Sequence, residues 1–276
     1  MNSKKTAIVT SLVLLLPVLV FGIAYSRVHA TSAICTPVTT SDMKFGMVLT
    51  AAVVVVLPLT TVTGSVNAAG CDVGVYIAMS ATGTTVTATV TDANQVGVFN
   101  DGATSVTVTG STVSCTGNHG STNTVPCSNF SPNGVQTGID VYFSCAGTGS
   151  ISSNTINQYQ KGGITVRDLD SVTVTNNNVT GLGLVNFIAQ NGIEFGFGAC
   201  GPTVSTTNVG QVTGNTVTDN QYNGNGGRAP PPYISSGILA QAIGDPGPGQ
   251  IHSALVTTNR AFQNQGNVIV IAVVSP

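Results

Sequence analysis

The chain has 276 residues and a formal net charge of −2, and only 7% of its residues are charged, against roughly 25% in an ordinary soluble domain. Hydrophobic residues make up 42%, and that much apolar content with so little net charge excludes disorder for most of the chain. Beyond the N-terminal segments the only cations are Lys161, Arg167, Arg228 and Arg260, too few to neutralise a run of phosphates, which excludes nucleic acid as a partner.

The chain opens with Lys4 and Lys5, then an apolar run from Ala7 to Tyr25, then Val28-His29-Ala30, which fits a small-residue cleavage pattern. A second unit of the same kind begins at Met43-Lys44. Its apolar core is Phe45 to Leu59, and Val66-Asn67-Ala68 supplies a second cleavage pattern. Residues 1–42 are read as a signal-like or over-extended N-terminal segment, and 43–69 as a second signal peptide or membrane anchor. The expected address is therefore secreted or cell-surface, with the membrane touched only through an uncleaved N-terminal segment. An exported chain keeps disulfides. Of the six cysteines, Cys115 and Cys127 bracket a Gly/Asn/Ser/Thr/Pro-rich loop and form the expected pair. No Cys-x-x-Cys spacing occurs and His119 and His252 are isolated, which argues against zinc.

From residue 70 onward Thr and Val suit half-buried strands, while Gly and Asn suit tight turns. One phrase, roughly V-T-x-N-x-V, recurs: Ile151 to Ile156, Val174 to Val179, Val212 to Val217, more weakly Val256 to Ala261, and Val108 to Val113 with Ser111 in the Asn place. A second phrase follows each time, a Gly or polar residue and then an aliphatic alternation, as in Gly138-Ile139-Asp140-Val141, Gly163-Ile164-Thr165-Val166 and Gly192-Ile193-Glu194-Phe195. Short strands of period two place Val or Ile inward and Thr outward. Asn or Gly turns the corner between them. Stacked coils then align Asn with Asn as a hydrogen-bonded ladder, over one continuous aliphatic core. Longer spacings mark loops inserted at corners, at Cys115 to Asn133, Gly181 to Gln190 and Gln221 to Ser235. A β-sandwich also alternates strands and turns, but it has no stacked corner to explain the repeated Asn.

The phrases resemble the right-handed parallel β-helix superfamily, the pectate-lyase-like and NosD-like group, over about residues 72 to 275. The resemblance implies an all-β solenoid for residues 70–276, with corner loop insertions, preceded by the hydrophobic export segments. It implies polysaccharide or cell-surface glycan as partner, and calcium as the cofactor to look for, since hard cations take carboxylate oxygens.

Few charges exist to build a site. Arg167, Asp168 and Asp170 cluster where one coil passes to the next, and Asp140 and Glu194 hold matching places in the second phrase around Thr165. Stacked outward, Asp140 and Glu194 would lie about two coil rises apart, roughly 10 Å, at the edge of the separation an inverting glycosidase needs. Arg167 would neutralise a uronate. The plainer reading is that Asp168 and Asp170 cap a turn, with Arg167 paired to them at the surface. The paired-Asp, Gly-His-Gly and Arg-x-Lys motifs of polygalacturonase-like hydrolases are missing. The expected function is binding or processing of extracellular carbohydrate. The alternative is a non-enzymatic surface or structural protein. Ice binding is a third reading, prompted by Thr85-Val86-Thr87, Thr107-Val108-Thr109 and Thr173-Val174-Thr175, although these rows do not recur at a strict period along the sequence.

Overall fold

The computed structural model describes residues 27–29, 34–42, 47–120, 124–131, 137–145, 147–167, 172–196, 210–223, 234–243 and 254–272. The first apolar run (Ala7 to Tyr25), Asp168, Asp170, Arg228 and His252 lie outside them.

Among the described residues the only helix is a 3₁₀ turn at Cys127–Asn129; everything else regular is strand. The early strands are β1 (Arg27–His29), β2 (Thr36–Asp42), β3 (Met47–Val56), β4 (Thr61–Asn67), β5 (Val73–Ala78), β6 (Thr85–Thr91) and β7 (Val96–Asp101). Then come β8 (Val106–Thr109), β9 (Thr112–Ser114), β10 (Ile139–Phe143), β11 (Gly149–Ser152), β12 (Thr155–Asn157) and β13 (Gly162–Val166). The rest are β14 (Val172–Thr175), β15 (Asn178–Val185), β16 (Asn191–Phe195), β17 (Gly210–Thr213), β18 (Thr216–Tyr222), β19 (Ser236–Ile243), β20 (Ala254–Thr257), β21 (Arg260–Phe262) and β22 (Gly266–Ala272).

These strands form two sheets, one ordered β2-β3-β5-β7-β10-β13-β16-β19-β22, the other β20-β17-β14-β11-β8-β6-β9-β12-β15-β18-β21 with β4 beside β6 and β1 beside β4. From β7 on, the chain repeats a circuit of three strands, and each strand pairs in parallel with its counterpart one circuit earlier. The long strands β4 and β6 serve both halves of the forked sheet. Only β2 runs antiparallel, against β3.

Three aliphatic columns fill the interior. Val62, Val86, Val108, Ile151, Val174 and Val212 stand in register in one half of the forked sheet. Val66, Val90, Val113, Ile156, Val179 and Val217 do so in the other. Val54, Val75, Val98, Val141, Ile164 and Ile193 face them from the second sheet. All belong to one buried cluster. Burial of this kind stabilises by about 1.5–3 kcal/mol per side chain.

The expected asparagine ladder is present. Asn154 accepts from the Ser111 amide, Asn177 from the Asn154 amide and side chain, Asn215 from those of Asn177, and Asn259 from those of Asn215, at 2.9–3.0 Å. Each ladder residue follows one with positive φ: Gly110, Ser153, Asn176, Gly214 and Thr258. The left-handed residue makes the bend, so the Asn side chain is free to bridge coils. A second, shorter ladder joins Asn220 to Asn264, again after positive-φ residues, Asp219 and Gln263.

The Phe45 to Leu59 run, read above as an export core, supplies strand β3, whose burial alternates along Met47–Val56. It pairs in parallel with β5. Short apolar runs suit helix and strand alike; here Val53 to Val56 are β-branched and fit the pleat. The residue-70 boundary does not interrupt the stack, since β4, before it, pairs with β6 along its whole length. No helix among the described residues is long and apolar enough to cross a membrane.

Disulfides join Cys35 to Cys71 and Cys115 to Cys127, the second as expected. Replacing Cys115 and Cys127 together by serine should lower the unfolding free energy by about 3 kcal/mol, the loop-closure value for so short a loop. Denaturant titration of the oxidised proteins checks this; an unchanged midpoint would show that the Phe130 and Phe187 contacts around this bridge hold the loop by themselves.

Candidate functional site

Of the site residues expected from the sequence, Asp168 and Asp170 lie outside the described residues, and Asp140 falls on a different side of the sheet from Arg167 and Glu194. Strand β10 pairs with β13 so that Ile139 meets Gly162, Val141 meets Ile164 and Tyr142 meets Thr165. This corrects the expected stacking: Thr165 has Tyr142 on one side and Glu194 on the other, and Asp140 falls in a column of glycines, between Gly97 and Gly163.

Those glycines show where Asp140 points. A Cβ on Gly97 would press on Val113, and one on Gly163 on Val179 and Tyr159, all residues of the core. Asp140 therefore enters the interior and is fully buried. Neither carboxylate oxygen has a hydrogen-bond partner of ordinary geometry, and Thr116 Oγ1 has none either. Burial holds the Asp140 carboxyl well above the usual carboxylate range, with nearby Thr116 and the Asn157 backbone pulling the other way.

Glu194 is on the outer side and also buried. Its Oε2 accepts from Asn191 Nδ2 at 3.1 Å and its Oε1 from Gln241 Nε2 at 3.0 Å. Asn191 is held in turn by Ser236 Oγ at 2.8 Å. Arg167 shares this side: Nη1 donates to Tyr142 Oη at 3.4 Å, and the Tyr142 ring stacks on Phe99 with centroids 5.2 Å apart. Lys161 is buried with Nζ donating to the Ala189 carbonyl at 2.8 Å; burial pushes its pKa down, and Glu194 partly offsets that. Sequence reasoning missed Lys161 and Asn191, although the Gln-Lys-Gly-Gly and Gln-Asn-Gly steps that carry them occupy equivalent places at Gly162 and Asn191.

Chemically this is a set of buried polar groups packed into a sheet, with Glu194, Asn191 and Lys161 hydrogen-bonded and the Asp140 carboxyl left without an ordinary partner. A carboxylate pair that flanks a sugar bond must share one solvent-facing side, about 5 to 10 Å apart. Asp140 on β10 and Glu194 on β16 lie on opposite sides of the sheet, and both are buried away from a polymer. Metal binding fares no better at the one cluster that brings suitable groups together among the described residues, Asp92, Cys115 and His119. Cys115 is bonded to Cys127, and both His119 ring nitrogens face carbonyl oxygens, of Val125 at 2.8 Å and Cys115 at 3.0 Å.

What the fold does expose is a surface of hydroxyls. Outward residues in one half of the forked sheet align in two columns rich in hydroxyls. One runs Thr61, Thr85, Thr107, Ser150, Thr173, then Gln211 and Leu255. The other runs Thr63 and Thr87, continues to Thr109, Ser152, Thr175 and Thr213, and ends at Thr257. All are exposed or half-buried, and none of these positions is charged. Adjacent hydroxyls reach each other across coils, as Ser152 Oγ does to Thr109 Oγ1 at 3.2 Å.

Comparison of the chain with protein-family models, with curated proteins and with solved structures finds no match in any of the three. The class of this protein accordingly rests on its architecture: all-β, wound from parallel strands in repeating circuits, with two disulfides compatible with an extracellular setting.

Proposed function

We propose that this chain is an exported right-handed parallel β-helix that binds an extended surface outside the cell without catalysing a reaction on it. One observation carries the reading: the long runs of ordered, solvent-facing side chains among the described residues are columns of mainly neutral Thr, Ser and Asn on the forked sheet, the Thr/Ser double column among them, whereas Asp140, Arg167 and Glu194 are buried. Extracellular polysaccharide, the partner that the β-helix resemblance implies, is such a surface, and an uncharged hydroxyl face suits neutral polymers better than uronates.

The test is a panel of insoluble and soluble neutral and uronic polysaccharides, incubated with the full chain with and without calcium, following both retention and chain length. Retention on a neutral polymer without shortening is expected, equal in Glu194→Gln and Arg167→Ala. Shortening that disappears in either variant would replace this reading with a carbohydrate-processing enzyme whose site opens at Glu194.

A further inference from the structure

The double Thr column has a geometry that specifies its ligand more narrowly than a generic surface. Within one strand, two outward residues i and i+2 are separated by about 6.6–6.8 Å, and equivalent residues of adjacent coils by about 4.7–4.9 Å. Thr61 and Thr63, Thr85 and Thr87, Thr107 and Thr109, Ser150 and Ser152, and Thr173 and Thr175 thus form a two-by-five grid of hydroxyls. No register shift interrupts the pairing from β4 to β17 along these columns. A rectangular array of that shape comes close to the two repeat distances on the prism face of hexagonal ice.

We propose that this face is an ice-binding plane, a proposal that rests on the surface-binding reading above and names its ligand. Three features favour ordered water over a flexible polymer chain. The face is uncharged from Thr61 to Thr257, complementary to a neutral lattice, while a charged side chain would hold its own hydration shell. Each Thr of the face carries a hydroxyl that can bond a lattice water beside a methyl that can confine one. The backbone beneath is fixed on both sides, by the fully buried Val86, Val108, Ile151 and Val174 column and by the Asn154–Asn177–Asn215 ladder at the adjoining bend. Long flat sheets need stacking or side-chain ladders of this sort to resist their natural twist.

The experiment uses the full chain in thermal-hysteresis and ice-recrystallisation assays, with insoluble neutral polysaccharide as a parallel arm. Wild-type protein is expected to shape ice crystals and to inhibit recrystallisation. Thr109→Tyr with Thr175→Tyr should reduce both activities at least tenfold, because two bulky rings lift the lattice off the face. Tyr is a good strand residue, and far-ultraviolet circular dichroism confirms that the double variant is folded. Thr175→Ser should retain most of the activity, and Leu184→Tyr, an exposed change away from the columns, all of it. Absence of any effect of the wild-type protein on ice overturns the proposal, as does equal loss in Leu184→Tyr. If polysaccharide retention is lost in the double Tyr variant while ice is never affected, ice binding falls and the surface-binding reading stands. If neither ice nor polysaccharide is bound, both fall.

Discussion

Asn177→Ala is expected to lower the unfolding free energy by about 3–5 kcal/mol, since each buried group left without a partner costs about 1–3 kcal/mol. The side chain of Asn177 does four things at once. Its Oδ1 accepts from the Asn154 amide and from Asn154 Nδ2, and its Nδ2 donates to the Ile151 carbonyl and to Asn215 Oδ1. Truncation takes the acceptor of the buried Asn154 amide and one bond each from Asn154 Nδ2, the Ile151 carbonyl and Asn215 Oδ1, of which Asn154 Nδ2 keeps the Val108 carbonyl and Asn215 Oδ1 keeps the Asn177 amide. The neighbour Asn178 is exposed on β15, and Asn178→Ala should change stability by no more than about 0.5 kcal/mol. Urea titration of both variants decides the matter: equal midpoints would mean that the ladder is ornamental and the aliphatic columns alone align the coils.

Asp140→Asn should stabilise the protein at neutral pH and remove part of its pH dependence. Burial raises the folded-state pKa of this carboxyl, whereas in the unfolded chain it ionises above about pH 3.9. A group with a raised folded pKa contributes its stability fully below the unfolded value. That contribution is lost as pH climbs toward the folded value, because only the unfolded state releases the proton. Measured between pH 4 and pH 8, wild-type stability should therefore fall relative to Asp140→Asn as pH rises. At pH 7 the variant should gain about 1.4 kcal/mol for each pH unit by which the folded value exceeds the unfolded one. Asp140→Gly, which restores the glycine found at Gly97 and Gly163, should gain similarly. Parallel pH profiles for wild type and Asp140→Asn would show that the carboxyl is ionised in the fold and has a partner that stabilises its charge.

The sequence by itself determined the repeating unit. Ile151, Val174 and Val212 at the head of each phrase, and Asn154, Asn177 and Asn215 three residues on, specify an inward column and a coil-to-coil ladder. A side chain that must meet its own kind in the next circuit leaves a recurrent mark, and the structure places all six as that mark requires. The Cys115–Cys127 bridge was legible for a similar reason, because both cysteines flank one corner loop.

Tertiary structure alone decided the register and the faces. The second phrases were aligned on their Gly-Ile steps, two residues out of true register for β10; a two-residue slip preserves a period-two pattern, so the sequence contains no trace of the error. Ile139 and Val141 then join different clusters, one outer and one inner, which breaks the alternation at Asp140 and turns its carboxyl into the core. The T-x-T rows show the converse. Corner loops of unequal length erase their period along the chain, yet backbone pairing depends only on the strands, so Thr85, Thr107 and Thr173 end in one column. The apolar run at β3 was undecidable for a related reason: a short, mainly aliphatic segment suits helix and strand alike and takes its conformation from what it packs against, here β5.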